Sequence, residues 1–301
     1  MTDTAASEPV DATVRRRFSE ASAVTRLDET RFAAEIDAGW GIGGKPNGGY
    51  LTAILARAAT EAASSVTDHP HPVAVSAHFC SSPDAGGAEI ETQVLQSGRT
   101  ITRVRSVLRQ EGKLCVDVVA TLGHLHPSAR TTALATDEPN GDHGSRDASW
   151  AGGVPERDDR DAAEYLAFRP PRGTFPRGIP DLLDFRMSPE SLRSLTGSPS
   201  GRGELRSRLA LPDDEPFDPI SLQFALDAMP PATLDIGPLT GWVPTLQFTT
   251  YVRALPAPGP IQLLHRAHLV ADGLVDETCY AWDSTGAPVA HSTQLAVIAR
   301  R

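Results

Sequence analysis

The chain carries one succession of elements twice, and this repeat limits the folds open to it more than any single motif does. After a glycine-dense stretch, residues 48–66 read as a helix, with Tyr50, Leu51, Ile54, Leu55 and Ala58 at helical spacing on one face. Residues 73–79, 89–96, 100–110 and 114–122 then read as strands. They are joined by turns at Ser97-Gly98 and Glu111-Gly112, where glycine supplies a positive φ. From Gly203 the order returns: a strand over 204–209, a helix over 220–234, and strands over 245–252, 261–268, 274–282 and 289–298. Residues 31–36 supply the matching strand ahead of the first helix. Gly98 and Gly112 lie 14 residues apart, and Gly273 and Gly286 lie 13 apart. Each copy is thus a strand, a helix and a four-strand antiparallel meander. One meander cannot shield both its own apolar face and a helix. Wrapping the sheet around the helix buries it, and setting two units side by side removes two exposed edges. The expected class is α+β.

This repeat divides the chain into an N-terminal tail (1–28), a first unit (29–125), a connector (126–202) and a second unit (203–301). The tail is polar and has no clear core period, so a loose segment with at most a short helix is expected. The connector is rich in Pro, Gly, Asp, Arg and Ser and reads as largely irregular. With 40% hydrophobic and 22% charged residues a packed core is feasible. A net charge of −10 argues against a nucleic-acid partner, though a local basic patch could hold an anionic small substrate. Cys80, Cys115 and Cys279 form neither a CxxC nor a disulfide framework, which fits a reducing compartment. The first twenty residues lack a signal-type apolar core, and no apolar run reaches membrane-spanning length. A cytoplasmic protein without a membrane partner is the expectation.

Two phosphate-binding patterns match the first unit on paper. Gly39, Gly41 and Gly44 satisfy GxGxxG, but hairpins follow the helix where a parallel βαβ unit would be needed. Gly39 to Lys45 satisfies GxxxxGK, but Pro46 stands where a magnesium-binding hydroxyl would be. No nucleotide or other cofactor is expected. His69/His71 and His124/His126 are HxH pairs beside prolines with no third ligand close in sequence, and read as loop residues with no metal. There is no GxSxG nucleophile elbow. Asn47, Gly48, Gly49 and Tyr50 open the first helix. Glycines there leave free backbone N–H groups room to approach a carbonyl oxygen or a phosphate.

The second unit holds the polar residues that stand out. Residues 221–234 read as a mostly apolar helix with one carboxylate, Asp227, in its middle, and a charge there is costly to bury unless it is paired or used. Pro230 and Pro231 should break or kink this helix soon after. Registering the units on Gly112 and Gly286 sets Gln294 opposite Ala120. Thr245 opens the strand whose counterpart opens with Val73, and the first helix has no Asp. One unit therefore carries polar groups at interior positions where the other is apolar, which suggests one active half and one scaffold half.

The words NGGYLTAILARAA, VSAHFCSSPDAGGAEIETQVLQSGRTITRVRSVLRQEGK, LDAMPP, GWVPTLQFTTYVRALP and HSTQLAVIAR resemble the acyl-CoA thioesterase II family over roughly residues 30–125 and 203–300. That resemblance implies a double hotdog, two long helices each wrapped by an antiparallel sheet, and hydrolysis of acyl-CoA to free acid and CoA. It implies catalytic roles for Asp227, Thr245 and Gln294 in holding and activating water. Backbone N–H groups near Gly48-Gly49 would polarise the thioester carbonyl. A homo-oligomer joined through hotdog sheets is compatible with it. Two other readings stay open. One is a non-catalytic acyl-thioester-binding module. The other is an enoyl-thioester hydratase, which would need an Asp–His pair, whereas the first histidine after Asp227 is His265.

Overall fold

The computed structural model describes residues 17–128, 153–168, 178–237 and 243–298. Besides a two-stranded hairpin of Gly41–Ile42 and Lys45–Pro46, the strands of the main sheet are β1 (Val24–Arg26), β2 (Arg31–Ile36), β3 (His71–Phe79), β4 (Gly86–Ser97), β5 (Thr102–Gln110), β6 (Lys113–Gly123), β7 (Leu166–Ala167), β8 (Asp184–Met187), β9 (Glu204–Ala210), β10 (Thr245–Val252), β11 (Ile261–Ala271), β12 (Leu274–Trp282) and β13 (Pro288–Val297). They join in one antiparallel sheet in the order β1-β2-β4-β5-β6-β3-β10-β13-β12-β11-β9-β8-β7. Read outward from the central β3·β10 seam, both halves follow the same path. Each goes from the first meander strand to the fourth, third and second, and then to the strand that precedes the helix. The two copies expected from glycine spacing are both present, as a double hotdog. At the seam Tyr251 registers on Ala74, and the Thr249 hydroxyl donates to Ser76 Oγ at 3.2 Å.

Helix α1 (Gly48–Ala63) runs beneath the first half of the sheet. The Asn47 side chain caps it by accepting the Tyr50 N–H at 2.9 Å. Its residues are buried all round except Gly48, Arg57, Thr60 and Glu61, more completely than the one-faced pattern predicts. The extra cover comes partly from the second unit, whose helix packs on it, and partly from the tail. In the tail Phe18–Ala21 forms a short helix and β1 follows. Phe18 lies within 5.0 Å of Trp40 and 5.2 Å of Phe224, ring to ring. Glu215 accepts the Phe18 N–H at 2.6 Å and the Ser19 N–H at 3.0 Å, so the second half holds this helix start. Phe18, Ala21 and Ser22 of the tail are therefore part of the core, because one large aromatic side chain outweighs its polar neighbours. Residues 1–16 lie outside the described residues.

The second helix differs from expectation. Helix α2 spans only Ser221–Ala225, and Asp227 stands just past its end. Asp218 and Ser221 cap its start reciprocally: Asp218 Oδ1 accepts the Ser221 N–H at 2.6 Å, and Ser221 Oγ accepts the Asp218 N–H at 2.8 Å. Pro230 and Pro231 have no N–H to continue the ladder, so the chain turns and resumes as a 3-10 turn at Ala232–Asp235. The connector is more ordered than its composition suggests. β7 and β8 extend the sheet beyond β9, and Pro189–Leu195 is helical. Residues 129–152 and 169–177 of the connector lie outside the described residues. Among the described residues no helix is long and apolar enough to cross a membrane.

Candidate active site

The N-terminus of α1 meets the end of α2 where the two units touch. Asp227 Oδ2 accepts the Gly49 N–H at 2.7 Å and the Asn47 side-chain amide at 2.9 Å, and the same amide reaches the Asp227 carbonyl at 2.9 Å. Asn47 thus performs two tasks, capping α1 through its oxygen and holding Asp227 through its nitrogen. The approach is possible only because residues 48 and 49 lack side chains. A Cβ on Gly49 would lie 2.7 Å from Asp227 Cβ and 2.7 Å from the Gln223 carbonyl, and one on Gly48 would lie 3.0 Å from the Phe79 ring. Gly48, the first residue of the helix, has no intrahelical acceptor for its own N–H.

Burial pushes the Asp227 carboxyl up to about 6, against the Gly49 N–H, the charge of His265 and the Asn47 amide, which favour the anion. Asp227 Oδ1 makes no hydrogen bond among the described residues, so one oxygen is anchored and the other is available. Tyr50 is fully buried. Its hydroxyl donates to the Ala21 carbonyl at 2.6 Å and accepts the Asp37 N–H at 3.1 Å, and its ring stacks on Trp40. It anchors the helix start to the tail.

Gln294 and Thr245 form a direct pair, with Gln294 Nε2 donating to Thr245 Oγ1 at 2.7 Å. A β-bulge between Thr245 and Gln247 brings Thr245 beside the interior row of β13. In that row Gln294 registers on Phe248 on one side and Glu277 on the other. The corresponding row in the first half is Val75, Ala120 and Val104, all fully buried. The polar asymmetry between the halves is therefore larger than Gln294 alone, because Glu277 stands where the first half has Val104. No hydrogen bond joins Asp227 to Thr245 or Gln294 among the described residues. Glu277, which registers on Gln294, is among the charges that act on Asp227.

Glu277 does not enter the sequence analysis, and His265 enters it only as the first histidine after Asp227. Glu277 is 1% exposed and His265 4% exposed, with His265 Nε2 3.4 Å from Glu277 Oε2. A signal existed: period-2 alternation puts Glu277 in phase with Val275, Cys279 and Ala281, on the interior face. The histidine pairs are brought together differently from expectation, since Asp68, His69 and His124 have ligand atoms within 4.8 Å of one another. Both ring nitrogens of His69 are already engaged, Nδ1 by Thr67 and Thr102 and Nε2 by the Arg99 carbonyl, so the set does not fit a metal without rearrangement. The Cys279 thiol is pushed up by burial, then by the charges of Asp227 and Glu277, and is no nucleophile.

Comparisons with known proteins agree with this architecture. The acyl-CoA thioesterase N-terminal domain family matches residues 36–123, and the acyl-CoA thioesterase C-terminal domain family matches residues 153–298. An uncharacterized protein of Mycobacterium tuberculosis is 31% identical over 282 residues, which is 89% of this chain and 90% of that one. A provisionally assigned thioesterase II of Thermobifida fusca superposes with a TM-score of 0.77 at 32% identity, covering 94% of this chain and 98% of that one. The acyl-CoA thioesterase II TesB2 of Mycobacterium marinum shares the fold, with a TM-score of 0.60 at 13% identity over 94% of this chain and 97% of that one. With both halves of the repeat matched in order, the chain belongs to the acyl-CoA thioesterase family of thioester hydrolases.

Proposed function

We propose that this protein hydrolyses acyl-CoA to a free acid and CoA, with Asp227, Thr245 and Gln294 as its catalytic groups. The observation that carries the reading is the Asp227 carboxylate, fixed through one oxygen at the start of α1 and free at the other. A carboxyl raised to about 6 is largely ionised at neutral pH yet more basic than an ordinary aspartate, which suits a general base. Water held by Asp227 Oδ1, the Gln294 carboxamide oxygen and the Thr245 hydroxyl attacks the thioester carbonyl carbon and gives its proton to Asp227. The Gly48 N–H, with no helical acceptor, is the candidate donor to the oxyanion. Collapse of the tetrahedral intermediate breaks the C–S bond, and the departing thiolate takes the proton back from Asp227. Neither a metal nor a redox step is needed for this balance.

Enoyl hydration would call for a histidine exposed to substrate beside the aspartate. His265 is buried, with Nδ1 turned to the Pro230 carbonyl at 3.2 Å. The test is release of free thiol from acyl-CoAs of graded chain length by the wild type, Asp227→Asn and Gln294→Ala. Loss of turnover in both variants with retained folding is expected. Full activity in Asp227→Asn would overturn the assignment.

A further inference from the structure

Beneath Asp227 lies a buried acid–base pair that the hydrolytic steps do not use. Glu277 sits on β12 and His265 on β11, diagonal to each other on the interior face. Each reaches the segment that follows Asp227: Glu277 Oε1 accepts the Thr233 N–H at 3.1 Å, and His265 Nδ1 meets the Pro230 carbonyl at 3.2 Å. That segment contains Pro230 and Pro231 and has replaced the expected α-helix; its own backbone bonds are those of a short 3-10 turn, with the Leu234 N–H on the Pro231 carbonyl at 3.1 Å.

A carbonyl oxygen only accepts, so His265 Nδ1 turns a hydrogen toward Pro230. His265 Nε2 lies 3.4 Å from Glu277 Oε2. Glu277 Oε2 has no other partner and is inaccessible to solvent, which leaves it dependent on His265. In the first half the positions equivalent to Glu277 and His265 are held by Val104 and Thr92, so the pair belongs to the half that carries Asp227.

We infer that His265 and Glu277 are positioning residues for thioester hydrolysis: they clamp Pro230 and Thr233 and so fix the Asp227 carboxylate at the α1 N-terminus. This rests on Asp227 being the base. The pair also sets two opposed charges near that base, His265 favouring its anion and Glu277 disfavouring it. The other groups facing Asp227 are the Gly49 N–H and the Asn47 amide from α1 and the buried Cys279 thiol from β12.

The experiment compares wild type, His265→Gln, Glu277→Gln, the double variant and Asp227→Asn by the pH profile of kcat/KM for thiol release from one acyl-CoA. Glu277→Gln retains an oxygen for Thr233 N–H and removes a negative charge, so the acid limb should move to lower pH. His265→Gln removes a positive charge, so the limb should move to higher pH. The double variant should return the limb toward the wild-type position while kcat stays reduced by about 10- to 100-fold, the effect of misplacing a catalytic group. A role confined to packing would lower Tm and leave the limb in place in both single variants, and that result would overturn the inference. An active Asp227→Asn would instead overturn the underlying assignment of the base.

Discussion

The backbone N–H of Gly49 donates to the carboxylate of Asp227 at 2.7 Å, joining residues 178 positions apart. This bond ties the start of one unit's helix to the end of the other's. It makes the site a property of the pair of units, since neither contains both partners.

Gly49→Ala tests that closeness. Its Cβ would fall 2.7 Å from a backbone carbonyl and from Asp227 Cβ, where neither neighbour has a flexible end to move. The expected outcome is a loss of about 1–3 kcal/mol in denaturant unfolding, with turnover reduced by more than that loss of folded protein explains.

Asn47 separates cap from anchor. Asn47→Ser keeps an oxygen for the Tyr50 N–H but loses the longer amide that reaches both the Asp227 carboxylate and its carbonyl, whereas Asn47→Ala loses cap and anchor together. Serine should hold Tm near wild type while kcat falls. Alanine should cost about 1 kcal/mol more in stability. Equal Tm values for the two variants would show that the cap contributes nothing.

The carboxyl of Asp227 lies above its unfolded value, so the native state binds more protons than the unfolded chain between about 4 and 6. Its contribution to stability is therefore fully present below pH 4 and is lost as pH rises through about 6. Asp227→Asn should raise Tm relative to wild type at pH 8, show less gain at pH 4, and abolish turnover. Thermal melts at the two pH values, with thiol release alongside, check the sign.

Gln294 and Thr245 share one hydrogen bond. Gln294→Ala and Thr245→Ala should each lower kcat, and the double variant should lose less than the product of the two effects. A kinetic double-mutant cycle that is strictly additive would mean the two act independently.

Phe18 fills the space among Trp40, Tyr50 and Phe224 and is 1% exposed. Phe18→Ala should cost about 3–5 kcal/mol in unfolding free energy. Because Phe224 lies in α2, turnover should fall at temperatures where the protein remains folded.

Sequence alone determined the repeat, the order of strands in each unit and the odd charge at Asp227. Turn glycines, period-2 alternation and a stray carboxylate are local signals, readable from neighbours a few residues apart. The break expected at Pro230 and Pro231 comes earlier than the sequence shows, with the helix ending at Ala225, ahead of Asp227, and the chain beyond it finding buried partners in His265 and Glu277. The partners of Asp227 were equally out of reach. Asn47 and Gly49 read as a helix start with free N–H groups, and only the packing of one unit on the other turns those groups toward a carboxylate 178 and 180 residues away. Hydrogen bonds across such separations follow from how two buried surfaces meet, and no periodicity in the chain encodes that meeting.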